Sequence, residues 1–189
     1  GDVVAVLRTA VDATRRHARD HAAEVSLEIE HGITAASVLM SPIELEQVFV
    51  NLILNAIQAQ SAGAKVRITA RHLGHELEIR VEDDGPGIPP ADRGRIFDPF
   101  FTTRLKRGGT GLGLSVAHGI IADHGGRMEL VAESGESGVG ACFRITLPVE
   151  KAEQGVCGVG LDEIQGLHGA RHRDVECVHE ELVDLQRLV

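Results

Sequence analysis

No apolar run in this sequence approaches the roughly 18–20 residues of a membrane span, and Gly1 to Arg8 lacks the basic start of a signal peptide. Basic excess is also missing: 19 Lys and Arg against 28 Asp and Glu leave a formal net charge of −9. That balance speaks against a duplex-binding or membrane-surface protein, because both rely on a basic footprint to offset phosphate charge. An anionic ligand must then be held by local features. Cysteine is scarce. Cys142, Cys157 and Cys177 are odd in number and far apart, so neither a disulfide framework nor a CxxC zinc site can be read, and reduced cytosolic thiols are expected. There is likewise no GxxxxGK[ST] loop, no HExxH and no GxSxG.

What is present fits one globular domain with a surplus. At 189 residues and 43% apolar content the chain can bury a core. Apolar residues at three-to-four spacing from Val3 to about Ala23 predict an amphipathic helix. Val25, Leu27 and Ile29 alternate with polar residues as in a half-buried strand, and 37–40 is a second short strand candidate. Ser41-Pro42-Ile43-Glu44 reads as a capping box launching a helix to about Gln60. Alternation over 65–70 and 76–81, joined by 71–75, predicts an antiparallel hairpin. Residues 83–110 are rich in glycine and proline, which predicts a long loop with one helical turn near 91–97. A helix from Leu112 to Asp123, stopped at His124-Gly125-Gly126, and a strand pair at 127–131 and 141–147 complete the pattern. This order lacks regular βαβ alternation and suits a two-layer α/β sandwich, a mixed sheet with helices on one face. From residue 150 the signal fades, giving an expected domain at 1–149 and a C-terminal extension at 150–189 in which only 175–189 carries the pattern of an amphipathic helix.

Three features carry chemistry. Asn51 and Asn55 lie one turn apart in an otherwise apolar helix. Unpaired buried amides cost about 1–3 kcal/mol each, so they either meet neighbouring backbone or bind a ligand, for which Mg²⁺ suits an amide oxygen. Asp83-Asp84-Gly85-Pro86-Gly87-Ile88 follows directly on a strand; its carboxylate could accept from an exocyclic amine, although an ordinary turn looks the same. Gly109-Thr110-Gly111-Leu112-Gly113-Leu114 opens into a helix, so it is either an anion site of free amides or a plain helix start.

Taken in order, these resemble the N, G1 and G2 boxes of the ATPase superfamily that groups gyrase, Hsp90 and histidine kinases, and Ile96-Phe97-Asp98-Pro99-Phe100-Phe101-Thr102-Thr103 resembles the F box of histidine kinases, especially of the nitrogen-regulation and dicarboxylate-sensor type. The resemblance covers about residues 1–148. It implies the ATP-binding (Bergerat) fold and a cytoplasmic catalytic domain using ATP and Mg²⁺. Asn55 would ligate Mg²⁺ and Asn51 would support the metal and phosphates, while Asp83 would bind the adenine amino group in a pocket shaped by Gly85 and Gly87. Gly109, Gly111 and Gly113 would present amides to the phosphates with Thr110 nearby, and Ile88, Phe97, Thr103, Leu112 and Leu114 would complete the nucleotide contacts. Phe97, Phe100 and Phe101 would anchor a lid from 98 to 110, from which Arg104 or Lys106 would reach the γ-phosphate. Some relatives carry a cation three residues after the metal asparagine, where this chain has Gln58.

Hydrolytic members of the superfamily place a general-base glutamate where this chain has Asn51, so phosphoryl transfer to an outside nucleophile is implied rather than hydrolysis. The expected nucleophile is a histidine followed by an acid on a partner helical hairpin, and the expected onward partner is a response-regulator receiver domain; no nucleic acid or membrane contact is expected of this domain. His17 and His21 lack the acidic neighbour, His179-Glu180 is a fragment of the pattern, and solvated surface positions are expected for them; His118 and His124 read as packing or surface residues. The rival readings are an anti-sigma-type serine kinase and a non-catalytic nucleotide-sensing module.

Overall fold

The computed structural model describes residues 2–30, 33, 41–60, 62–103, 109–131 and 140–149. All of these fall in one compact unit, Gly1–Ala152. The expected strand at 37–40 and the extension at 150–189 lie outside the described residues.

Helix α1 (Val3–Asp20) begins at Asp2, whose Oδ1 accepts from the Val4 and Ala5 amides at 2.9 and 3.3 Å, the standard satisfaction of first-turn N–H groups. Val3, Val6, Leu7, Ala10, Thr14 and Ala18 form its buried stripe. The hydroxyl of Thr14 is satisfied within the helix by the Ala10 and Val11 carbonyls. Strand β1 (Glu24–Ile29) follows.

Helix α2 (Pro42–Ile57) is the centre of the core: Leu45, Val48, Phe49, Leu52, Ile53 and Ile57 are fully buried. Each such side chain contributes about 1.5–3 kcal/mol on leaving water. Ser41 is the N-cap and Pro42 the first helical residue, yet the expected capping box does not form, because Ser41 makes no side-chain capping bond. Its reciprocal arm is engaged elsewhere: Glu44 Oε2 lies 3.4 Å from His124 Nε2 at the far end of α3. The helix stops three residues short of Gln60, with Gln58 as its C-cap.

Strands β2 (Lys65–Leu73) and β3 (Glu76–Asp83) both run longer than the alternation suggested. The link shrinks to Gly74-His75, with Gly74 at φ +64°, the left-handed value that a two-residue hairpin loop needs at its first position. Residues 89–98 form successive i→i+3 turns, through Asp92 N–H to Pro89 O, Arg95 N–H to Asp92 O and Asp98 N–H to Arg95 O, in place of a single helical turn. Helix α3 (Gly113–Asp123) ends at His124 in a glycine motif: the Gly125 amide donates to Ala122 O and the Gly126 amide to Ile121 O. Strands β4 (Arg127–Val131) and β5 (Cys142–Pro148) close the sheet.

The five strands lie in the order β1-β2-β3-β5-β4. Among the described residues only the β1–β2 pair is parallel, so the sheet is mixed, as expected. Register aligns Ile68 with Val81, Ile79 with Ile145 and Leu77 with Leu147 on the face buried beneath the helices. The opposite face is charged. There Glu78 is buried with its Oε1 2.7 Å from Arg71 and 2.8 Å from Arg80, and Arg144 pairs with Glu129 at 2.7 Å. Burial pushes the Glu78 pKa up, but the hydrogen bonds and charges of Arg80 and Arg71 outweigh it and leave the carboxyl below its ordinary value. Cys142 is also buried; its thiol is pushed up to about 12, chiefly by burial and then by the neighbouring Glu82 carboxylate.

Candidate functional site

A cleft of about 840 Å³ opens beside α2, and the chemistry-bearing motifs converge on it. The spacing of α2 presents Asn51 and Asn55 from one face, and both side chains meet the start of α3. Asn51 Nδ2 donates to Gly113 O at 3.3 Å, and a Cβ on Gly113 would lie 3.6 Å from Asn51 Oδ1 and 3.8 Å from Asn55 Nδ2. Two elements 62 residues apart in the chain are thus joined at the point where the amide pair enters the cleft.

Asp83 ends β3 and also lines the cleft. Its Oδ1 accepts from the Gly85 amide at 2.9 Å and from the Ala141 amide at 3.3 Å, which fixes the carboxylate relative to two strands. The turn after it is sterically closed to side chains: Gly85 is buried, and a Cβ there would lie 2.7 Å from Asp83 Oδ1 and 2.9 Å from Ala59 Cβ. Gly87, at φ +71°, faces the Gly140 carbonyl at 2.8 Å from the same hypothetical atom, and a Cβ on Gly140 itself would run into Asp83 O. Asp84 takes no part in the cleft; its Oδ1 accepts from Gln60 Nε2 at 2.6 Å and the Lys65 amide at 2.8 Å, tying the end of α2 to β2.

The glycines before α3 line the cleft at Gly109, Gly111 and Gly113, with Thr110 between them. The N-cap is Leu112, which makes no side-chain capping bond. An apolar cap leaves first-turn amides to be met from outside the helix. Gly111, at φ +69°, is pressed against the backbone of Phe100, and the Phe100 amide donates to Gly111 O at 3.0 Å. Phe100 itself stands at φ +66°, a strained setting for a bulky residue.

Of the residues expected at the site, the cleft is lined by Asn51, Asn55, Asp83, Gly87, Ile88, Thr103, Gly109, Thr110, Gly111, Gly113 and Leu114. Gly85, Phe97 and Leu112 stand behind or beside it. The Phe97 ring packs against His118 at 4.6 Å and against Phe143 at 6.4 Å. Phe101 lines the cleft beneath the Arg95 guanidinium, 4.9 Å from its ring centre. Phe100 departs from the expectation: the residue is 72% exposed, and its contact with Gly111 is made through its backbone. Arg104 and Lys106 lie outside the described residues. His17 and His21 are corrected, since they are half-buried and line the cleft instead of facing open solvent. His118 and His124 pack as expected, the latter with Nδ1 2.8 Å from Ile120 O. Sequence reasoning missed Gly140, Ala141 and Phe143, whose part at the site depends on β5 lying beside β3.

A family model described as "Histidine kinase-, DNA gyrase B-, and HSP90-like ATPase" matches residues 40–151. The alginate biosynthesis sensor protein KinB of Pseudomonas aeruginosa is 40% identical over 131 residues, 69% of this chain and 22% of the relative. Among solved structures, the mycobacterial sensor histidine kinase MprB superposes with a TM-score of 0.68 at 26% identity, covering 79% of this chain and 96% of that one. Histidine kinase ThkA in complex with the response regulator protein TrrA gives a TM-score of 0.63 at 27% identity, covering 79% and 41%. This chain spans about an eighth to a quarter of the length of the curated relatives it matches. The converging asparagine pair, strand-end aspartate and glycine helix start all lie within the matched stretch, and the chain belongs to the family of histidine kinase-, DNA gyrase B- and HSP90-like ATPases.

Proposed function

We propose that the cleft binds ATP with Mg²⁺ and that the protein donates the γ-phosphoryl group to a histidine on a phosphoacceptor hairpin, from which it passes to a response-regulator aspartate. The observation that carries this reading is the meeting of Asp83, the Asn51–Asn55 pair and the start of α3 in one cleft. Asp83, held by two backbone amides, accepts from the purine amino group, and Gly85 and Gly87 let the ring approach the backbone. The amides of 111–115 and the positive end of α3 receive the phosphates. Thr103 and Thr110 flank that end, and Ile88, Phe101 and Leu114 supply apolar walls.

The amide pair fits magnesium. Both are half-buried on one helix face beside Gly113, and an amide oxygen is a hard neutral donor for an ion that keeps water and phosphate ligands. Asn55 would hold the ion with Asn51 in support, and the bound ion supplies neutralisation of phosphate charge. Asn51 cannot take a proton from water, and its Nδ2 is engaged with Gly113 O, so no residue at that position activates hydrolysis. Catalysis then consists of orienting the γ-phosphoryl for in-line attack by an external nucleophile, with Arg104 or Lys106 proposed to meet the developing charge. Assignment to the nitrogen-regulation and dicarboxylate-sensor type rests on residues 96–103, and a cytoplasmic setting on the ATP requirement. ThkA, bound to a response regulator, supports the same partner class here.

Mixing the purified chain with a separately made histidine hairpin and γ-labelled ATP tests the reading. Label on histidine is expected. Label on serine would favour an anti-sigma-type kinase, and nucleotide binding with no transfer a sensing module.

A further inference from the structure

One wall of the cleft is unused by these roles. His17 on α1 and His21, the C-cap of that helix one turn on, both line it, with their rings stacked at 4.3 Å between centroids. His17 Nε2 lies 3.1 Å from Gln58 Nε2, one turn beyond Asn55 on α2. His21 Nδ1 lies 3.0 Å from the His17 carbonyl. A carbonyl only accepts, so this nitrogen carries a proton and the ring orientation is set. The His21 carbonyl in turn accepts from the Gly63 amide at 2.9 Å, holding the end of α1 against the segment that leads into β2. Two imidazoles fixed this way are unlike solvated surface histidines, which have no reason to hold one geometry.

Charge gives them a use. The titratable side chains that line the cleft among the described residues are Asp83, Asp92, His17 and His21, and no lysine or arginine is among them. Both carboxylates have the wrong sign for a triphosphate, whereas an imidazolium donates from both ring nitrogens and a bound polyanion favours that form. A polyanion is stabilised by donors on more than one side; among the described residues the glycine amides of α3 serve one, apart from the lid cation proposed above. We infer that His17 and His21, held by Gln58 and the α1 backbone, form a second phosphate-contacting wall of the nucleotide site, contributed by α1. This inference rests on the proposed reading that the cleft binds Mg·ATP.

The test is calorimetric titration of the full chain with Mg·ATP, Mg·ADP and adenosine, beside thermal melting without nucleotide. The double variant His17→Gln with His21→Gln is expected to bind Mg·ATP about tenfold or more weakly, the scale of a lost charge-assisted hydrogen bond. Adenosine affinity and the ligand-free melting temperature are expected to stay unchanged. The variant His17→Lys with His21→Gln, which restores a donor on the same helix, is expected to bind Mg·ATP more tightly than the double glutamine variant and covers the case in which that variant folds poorly. Undiminished Mg·ATP binding by the double variant overturns the inference alone, as does an equal loss for adenosine and Mg·ATP. If the unaltered chain binds none of the three ligands, the proposed function falls with it.

Discussion

Asn51 and Asn55 are polar groups placed among side chains that are otherwise buried and apolar, and that contrast made them conspicuous before any geometry was known. The geometry added the reason they are tolerated: Asn51 is satisfied by the carbonyl of a glycine 62 residues away. Asn55→Asp keeps the size and adds a charge at a half-buried position. It is expected to weaken Mg·ATP handling far more than it lowers the melting temperature; equal losses of both would mark the residue as structural. Asp83 was legible because it closes an alternating strand just before two glycines. Its partners were not, since the amide of Ala141 reaches it across 58 residues and the clearance needed at Gly140 exists only because β5 lies against β3. No local pattern encodes a contact of that range.

Elements were read well where one period dominated and less well at their ends. Alternation located β2 and β3, but their length was underestimated because Arg71, His72 and Leu73 are exposed and resemble a link by composition. Their pairing with Glu78, Leu77 and Glu76 is what extends the ladder. Glu78 gives this region a pH dependence. Its folded-state pKa is depressed below the ordinary 4.5, so its pairing stabilises the fold above that value and the contribution disappears as pH falls through the lower, folded-state pKa. Glu78→Gln is therefore expected to cost about 1–2 kcal/mol near neutral pH, the scale of a hydrogen bond to a charged group, discounted for the partly exposed arginines. Denaturant titrations in which the two proteins stay equally far apart from pH 7 down to strongly acidic pH would refute that assignment. The capping box failed for a related reason: Glu44 found a partner on another helix that chain order does not reveal.

At the scale of the molecule, chain order gave a mixed sheet under one helical layer but not the strand order, in which β5 inserts between β3 and β4 and β1 joins the edge in parallel. The described residues belong to a unit closing at Ala152. A chain ending at that residue is expected to keep both the melting temperature and the Mg·ATP affinity of the longer protein, which calorimetry and thermal scans on the two would compare directly.

Cys142 sits between those central strands with its thiol pushed up to about 12, so almost none of the reactive anion exists at neutral pH while the fold is closed. Alkylation at that one sulfur, located by peptide mapping, would therefore act as a clock for opening of the sheet. Nucleotide should slow the clock in proportion to how tightly it is held, giving a readout of occupancy that needs no phosphoryl transfer.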